Sequence, residues 1–230
     1  MDAMNTTPLW RAVAAEFLGT GLLVAIIVGS GIAAQRLSPS ETGLQLLENS
    51  TATAFGLAVL ILIFQTVSGS HFNPVVTLAD RALGAEARPL GIVTYIAAQI
   101  LGGIGGAVLA NLMFAVPTMI SSKDRISTGH LLGEVVATAG LLLLIFALVR
   151  SGRTALVGPA VGAYIGAAYW FTSSTSFANP AVTIGRIFTD TFAGIAPISA
   201  AAYLGAQLVG AAVGVGLVFL FFPPVRKAFA

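Results

Sequence analysis

Long apolar runs broken by short polar stretches dominate the chain. Ala12 to Ala34 carries one charge, Glu16, and is long enough to cross a hydrocarbon core about 30 Å thick. A polar loop is expected from Gln35 to Ser50, with Arg36, Pro39, Glu41 and Glu48, and then a second span from Thr51 to Val67 that ends in Ser68-Gly69-Ser70. The next apolar stretch, Asn73 to Leu83, has only about 11 residues, half a membrane at 1.5 Å each. A helix that short must re-enter. Leu90 to Ala115 is a glycine-rich third span, and Pro117 to Thr128 is a polar linker with Lys123, Asp124 and Arg125. His130 to Val149 and Ala155 to Phe171 are the fourth and fifth spans, joined by the basic loop from Arg150 to Arg153. A second half-helix starts at Asn179, and Pro197 to Phe222 is the sixth span, stopped by Pro223-Pro224 before Arg226 and Lys227.

Composition turns these runs into membrane crossings. Of the 230 residues 57% are hydrophobic and 9% charged, and the mean hydropathy is +0.93. These values lie outside the soluble range and describe an all-α membrane protein. The first apolar run has no convincing cleavage site and is too long for a signal-peptide core, so it reads as a retained helix. A formal net charge of +2 with scattered carriers gives no footprint for nucleic acid. Cysteine is absent, which excludes disulfides and thiol chemistry.

The two half-helices share a motif. Ser70 to Asp80 reads SHFNPVVTLAD and Ser176 to Arg186 reads SFANPAVTIGR. Asn is a preferred N-cap, and Pro is favoured at the first helical position, so each copy predicts a helix start. The repeat extends further: Glu16 to Thr20 answers Glu134 to Thr138, and Tyr95 to Gln99 answers Tyr203 to Gln207. With three spans per half, the halves face opposite ways, which brings the two half-helices tip to tip near the midplane, where inverted repeats place their sites. Lipid cannot satisfy such irregular backbone, so it must be buried in protein or line a wet cavity. Orientation follows from the cations. With the N-terminus inside, the inner side holds Arg11, Arg81, Arg88, Arg150, Arg153, Arg226 and Lys227. The outer side holds Arg36, Lys123, Arg125 and Arg186, an asymmetry that favours cytoplasmic termini.

At its paired Asn-Pro motifs the chain resembles the aquaporins and aquaglyceroporins, the major intrinsic proteins, over nearly its whole length. The resemblance implies one channel domain over residues 1–230, with inverted repeats at about 11–115 and 128–223. It also implies the pore motifs Asn73, Pro74, Val75 and Asn179, Pro180, Ala181, and a homotetramer in which each subunit has its own pore. Family members usually carry Arg directly after the second motif, at an outer constriction. Here that position is Val182. Matching the remaining positions puts Phe55, Tyr169 and Ser176 at the same constriction, with Ala167 as the alternative to Tyr169 on a count back from Asn179. Loss of the planar five-donor guanidinium should widen the pore. The expected activity is passive passage of small uncharged solutes: glycerol-like polyols, neutral metalloid acids such as arsenicals, and water. Ions and protons are excluded by the two helix N-termini and by pore dimensions. A water-selective channel with an Arg-less filter is the alternative. The resemblance is to the bacterial arsenic-associated members, in an inner (plasma) membrane; neither cofactor nor metal is implied.

Other residues carry two readings each. Arg186 is either a displaced filter cation or a cation satisfying the last carbonyls of its own helix. Glu16 and Glu134 inside spans are either ion sites or, as their symmetry favours, scaffolds that accept hydrogen bonds from the re-entrant loops. His71 either orders its loop or switches with pH, and His130 sits at an interface. Gly102 to Gly106 and Gly210 to Gly214 mark close helix packing rather than a nucleotide loop, and Gln99 and Gln207 in the same helices bond to the loops or across the contact. Val75 either narrows the pore centre or tightens packing. A secondary transporter would need a further intramembrane acid, and an enzyme a nucleophile–base pair or metal cluster; the sequence shows neither.

Overall fold

A computed structural model describes residues 7–85 and 89–222. Glu86, Arg88, Pro223, Pro224, Arg226 and Lys227 lie outside the described residues. Eight α-helices follow in order, α1 (Leu9–Leu37), α2 (Thr42–Ser68), α3 (Pro74–Ala82), α4 (Pro89–Met113), α5 (Thr128–Arg150), α6 (Val157–Phe171), α7 (Pro180–Gly185) and α8 (Pro197–Phe221), and no strand is found among the described residues. Five of them, α1, α2, α4, α5 and α8, are long and apolar enough to cross a membrane. The sixth crossing is shorter. Helix α6 has 15 residues and is led in by a 3₁₀ turn, Thr154–Leu156, and together they reach about 28 Å. The side on which α1 begins is called the near side below, the other the far side.

One expected boundary moves. Helix α2 begins at Thr42, so the polar loop expected as far as Ser50 shrinks to residues 38–41. Two polar residues within the expected loop, Gln45 and Asn49, are instead buried inside a helix contact. Asn49 donates to Ile27 O and Ser30 Oγ, both at 2.8 Å, and Gln45 donates to Ser38 O at 2.7 Å. Satisfied in this way, a buried amide is compatible with a membrane helix.

Packing repeats with the sequence. Helix α1 packs on α4 and α2, α5 packs on α8 and α6, and α2 meets α6 across the repeats. Glycines set the two tight crossings. A Cβ built at Gly102 would land on the carbonyl oxygen of Phe17, and one at Gly106 on that of Gly21; in the second repeat the Cβ of Gly210 would come 2.6 Å from Val135 O. Backbones this close leave no room for a side chain. Gly106→Val is expected to force α1 and α4 apart at a cost of about 3 kcal/mol. The check is the melting temperature of the detergent-solubilised protein, which should fall steeply; a value near wild type would show that the crossing can slide.

The far-side linker, residues 114–127, folds back over the molecule rather than into solvent. Ser121 N donates to Ile187 O at 2.8 Å, Ala196 N to Lys123 O at 2.8 Å, and Arg125 Nε and Nη2 to Gly194 O and Phe192 O, both at 2.8 Å. Asp190 accepts the Ser122 N–H at 3.0 Å and the hydroxyls of Ser121 and Ser122, which holds its carboxyl below the usual carboxylate range. The ring of Phe177 ends up beneath this linker.

Candidate functional site: a channel between two capped half-helices

Asn73 and Asn179 adopt extended backbone and accept hydrogen bonds at the starts of α3 and α7, Asn73 Oδ1 from Val75 N at 3.1 Å and Asn179 Oδ1 from Ala181 N at 2.9 Å. Their amide nitrogens cross between the repeats. Asn73 Nδ2 donates to Ala178 O and Asn179 Nδ2 to Phe72 O, both at 2.8 Å. Each amide therefore keeps one N–H for the channel rather than two.

The loops before these caps are strained in the same way. Ser70 and Phe72 in the first loop, and Ser176 and Ala178 in the second, all lie at positive φ, between 46° and 52°. Such a conformation costs roughly 1–2 kcal/mol for each residue that is not glycine. Two buried carboxylates hold it. Glu16 accepts from Ser68 Oγ (2.6 Å), His71 N (2.9 Å), Phe72 N (2.7 Å) and Gln99 Nε2 (2.7 Å). Glu134 accepts from Phe177 N (2.8 Å), Ala178 N (2.9 Å) and Gln207 Nε2 (2.6 Å). Gln99 and Gln207 also donate to Thr77 and Thr183, on the half-helices themselves. Every contact presents a donor, and both carboxylates act purely as acceptors.

Between the repeats runs a narrow cavity of about 50 Å³, room for a short file of waters at roughly 10–15 Å³ of free volume for each water centre. One wall is aliphatic, with Leu23, Ile27, Leu57, Ile61, Val161 and Ile165; the other is made by the re-entrant loops through His71, Phe72, Asn73 and Ser176 to Asn179. Toward the near side it shares His71, Val76 and Ile145 with a vestibule of about 1040 Å³. At the far end stand Thr53, Tyr169, Ser176, Val182 and Arg186.

The expected constriction residues separate here. Tyr169, Ser176 and Val182 line the cavity, each 3% exposed, and Ala167 lies exposed on the outside of α6. Phe55 does not reach it. It is 71% exposed on the outer surface, because Thr53, Leu57 and Ile61, four apart, share the cavity face of α2, and a residue two positions from Thr53 points the other way. Thr53 takes its place, its hydroxyl 3.2 Å from that of Tyr169. Pro74, Val75, Pro180 and Ala181 are buried behind the cavity rather than in it, which decides for Val75 in favour of packing. His71 stacks edge-on against Tyr95 at 5.7 Å, with Nδ1 3.1 Å from Thr77 Oγ1. His130 Nδ1, in the first turn of α5, meets Arg125 O of the linker at 2.8 Å. Arg186 is not a cap for its own helix: it is 2% exposed and lies over the Phe177 ring at 3.4 Å, with Nε donating to Ala193 O. Thr53 and the crossed amides had no signal in the motifs. The i, i+4 spacing from Thr53 to Ile61 was the readable sign for Thr53.

Comparison with known proteins places the chain in a family. A family model described as "Major intrinsic protein" matches residues 3–177. The chain belongs to the major intrinsic protein family. It is 45% identical over 224 residues to aquaglyceroporin AqpS of Rhizobium meliloti (strain 1021), covering 97% of this chain and 95% of that one. It is 31% identical over 229 residues to mouse (Mus musculus) aquaporin-4, covering 90% and 67%. The solved aquaglyceroporin from Plasmodium falciparum superposes with a TM-score of 0.67 at 21% identity, over 96% of this chain and 98% of that one, a likeness of fold. As a major intrinsic protein the chain is a multi-pass membrane channel for water and small solutes, and it acts without catalysis.

Proposed function

We propose that this major intrinsic protein is an aquaglyceroporin-type facilitator that carries glycerol-like polyols and neutral metalloid acids, arsenicals among them, together with water, and excludes protons. The observation that carries this reading is the far constriction, where the position after the second Asn-Pro-Ala is aliphatic. Val182 faces the cavity beside the Thr53–Tyr169 hydroxyl pair and the Ser176 hydroxyl, which has no partner among the described residues. An aliphatic wall beside a few hydroxyls suits a solute with carbon on one face and oxygen on the other. Water passing Asn73 and Asn179 meets one free N–H from each and turns its oxygen toward them, which breaks a proton wire at the two helix starts.

The further features are part of the same proposal. The near side is cytoplasmic, the membrane is the inner (plasma) membrane, and four chains assemble with one pore each. Coupled transport is disfavoured, because Glu16 and Glu134 are engaged by donors from the re-entrant loops and from the facing helices. The small cavity favours the alternative of a water-selective channel. Light-scattering stopped flow on proteoliposomes separates the two. Glycerol and a neutral arsenical are expected to enter at least about tenfold faster than into empty vesicles. Fast water flow with solute entry at the empty-vesicle rate would mean that Tyr169 and Thr53 close the gap at Val182.

A further inference from the structure

Seven residues beyond each capping Asn, the inverted repeat places Asp80 in one copy and Arg186 in the other. Two residues before each Asn it places His71 and Phe177. The two ends are built alike around these pairs. At the near end His71 packs against Tyr95 at 5.7 Å, and Asp80 Oδ2 lies 3.9 Å from its Nε2. At the far end Phe177 packs against Tyr203 at 5.1 Å, and the Arg186 guanidinium lies over its face. Symmetry thus equates two positions whose charges are opposite. Their burial differs as well: the Asp80 side chain is 36% exposed, whereas Arg186 is 2% exposed.

A buried guanidinium must have its donors met. It carries five N–H groups and stays charged. Arg186 uses Nε on Ala193 O, and its face is covered by Phe177, but among the described residues neither terminal nitrogen has a protein acceptor. No carboxylate among the described residues pairs with it, and the nearby cation Arg125, 5.5 Å from the same ring, adds to the positive potential. The side chain lines the channel cavity together with Ser176, whose hydroxyl is buried there and also without a partner. Two sets of unmet polar groups therefore face one narrow space. Only oxygens inside the channel can satisfy them.

We propose that Arg186 supplies the fixed cation and the directed donors of the far constriction, one helical turn beyond the position of Val182, and that with Ser176 it forms a subsite for acceptor oxygens of neutral solutes. This rests on the channel reading above. Cations are stopped at Arg186, while the aliphatic side chain of Val182, about 6 Å further in, carries no charge.

The test uses the full chain in planar bilayers and proteoliposomes, with monodisperse elution and a wild-type melting temperature as the folding check. Wild type is expected to carry solute but no cation current. Arg186→Gln should raise potassium conductance at least tenfold over wild type and slow glycerol entry severalfold. Arg186→His makes the charge adjustable in a single folded sample: tight at pH 5, leaking at pH 8, with wild type tight at both. The double variant Val182→Arg, Arg186→Val returns the cation to the inner turn, and should be ion-tight with glycerol entry reduced at least tenfold. An ion-tight Arg186→Gln, or an Arg186→His without pH dependence, overturns the proposal and leaves exclusion to the helix starts. A wild type that passes neither water nor solute would instead overturn the channel reading itself.

Discussion

Glu134→Ala is expected to abolish the folded channel. The carboxylate meets three buried donors, the N–H groups of Phe177 and Ala178 and the amide of Gln207. Leaving a buried donor unmet costs roughly 1–3 kcal/mol, so the three together approach the whole stability of a domain, about 5–15 kcal/mol. The loop adds to the loss. Ser176 and Ala178 are held at positive φ only while their surroundings over-determine them, and without the carboxylate they are free to relax and carry Asn179 away from Phe72 O. The check is detergent-solubilised yield and melting temperature, with Glu134→Gln beside it. Glutamine keeps one acceptor oxygen but turns an N–H toward the other donors, so its melting temperature should fall between wild type and Ala. Glu16→Ala removes four such bonds in the first repeat and should behave as Glu134→Ala does. A folded, conducting Glu134→Ala protein would show that the loops support themselves.

The architecture was legible because its strongest signals are local and doubled. Asn-Pro fixes a helix start through one side-chain acceptor and one locked φ, and a second copy at the matching place in the other repeat fixes the inverted topology. The apolar runs gave the crossings to within a few residues, except at the start of α2. There Arg36, Pro39, Glu41 and Glu48 extended the loop to Ser50, and Gln45 and Asn49 fell inside it, since a sequence does not display the carbonyls of Ser38 and Ile27 that accept from them.

The channel lining was less legible, for reasons of direction and reach. Phe55 was drawn to the constriction by family position, yet the cavity face of α2 follows the four-residue step from Thr53 to Leu57 to Ile61. Residue identity near a motif does not say which way a helix is turned. Arg186 posed the opposite problem. Its distance from Val182 along the helix was plain, but that its guanidinium lies on Phe177 and within the cavity depends on a ring two residues before Asn179 and on the carbonyl of Ala193, contacts made across separate segments. The crossed amides of Asn73 and Asn179 are likewise a property of two loops meeting, visible only when the repeats are folded together.

Val182→Arg should convert a solute channel into one that passes at most water. Val182 is 3% exposed at the wall of a cavity of about 50 Å³, so a longer side chain there has nowhere to go but into the path. The new charge would stand about one turn from Arg186, and at about 6 Å two cations repel by roughly 3 kcal/mol at an effective dielectric of 20. That repulsion turns the new side chain away from Arg186, into the space it shares with Thr53 and Tyr169. Its donors would also bind the hydroxyls of a passing polyol and slow its release. Glycerol entry in stopped flow is expected to fall at least about tenfold, equivalent to about 1.4 kcal/mol on the barrier, with water flow reduced less because a single file of waters needs less width. Val182→Ala, smaller and neutral, is expected to leave glycerol entry at or above the wild-type rate. If Val182→Arg admits glycerol as fast as wild type, the limiting width lies elsewhere along the cavity, and the aliphatic residue after the second motif would not be what sets solute size.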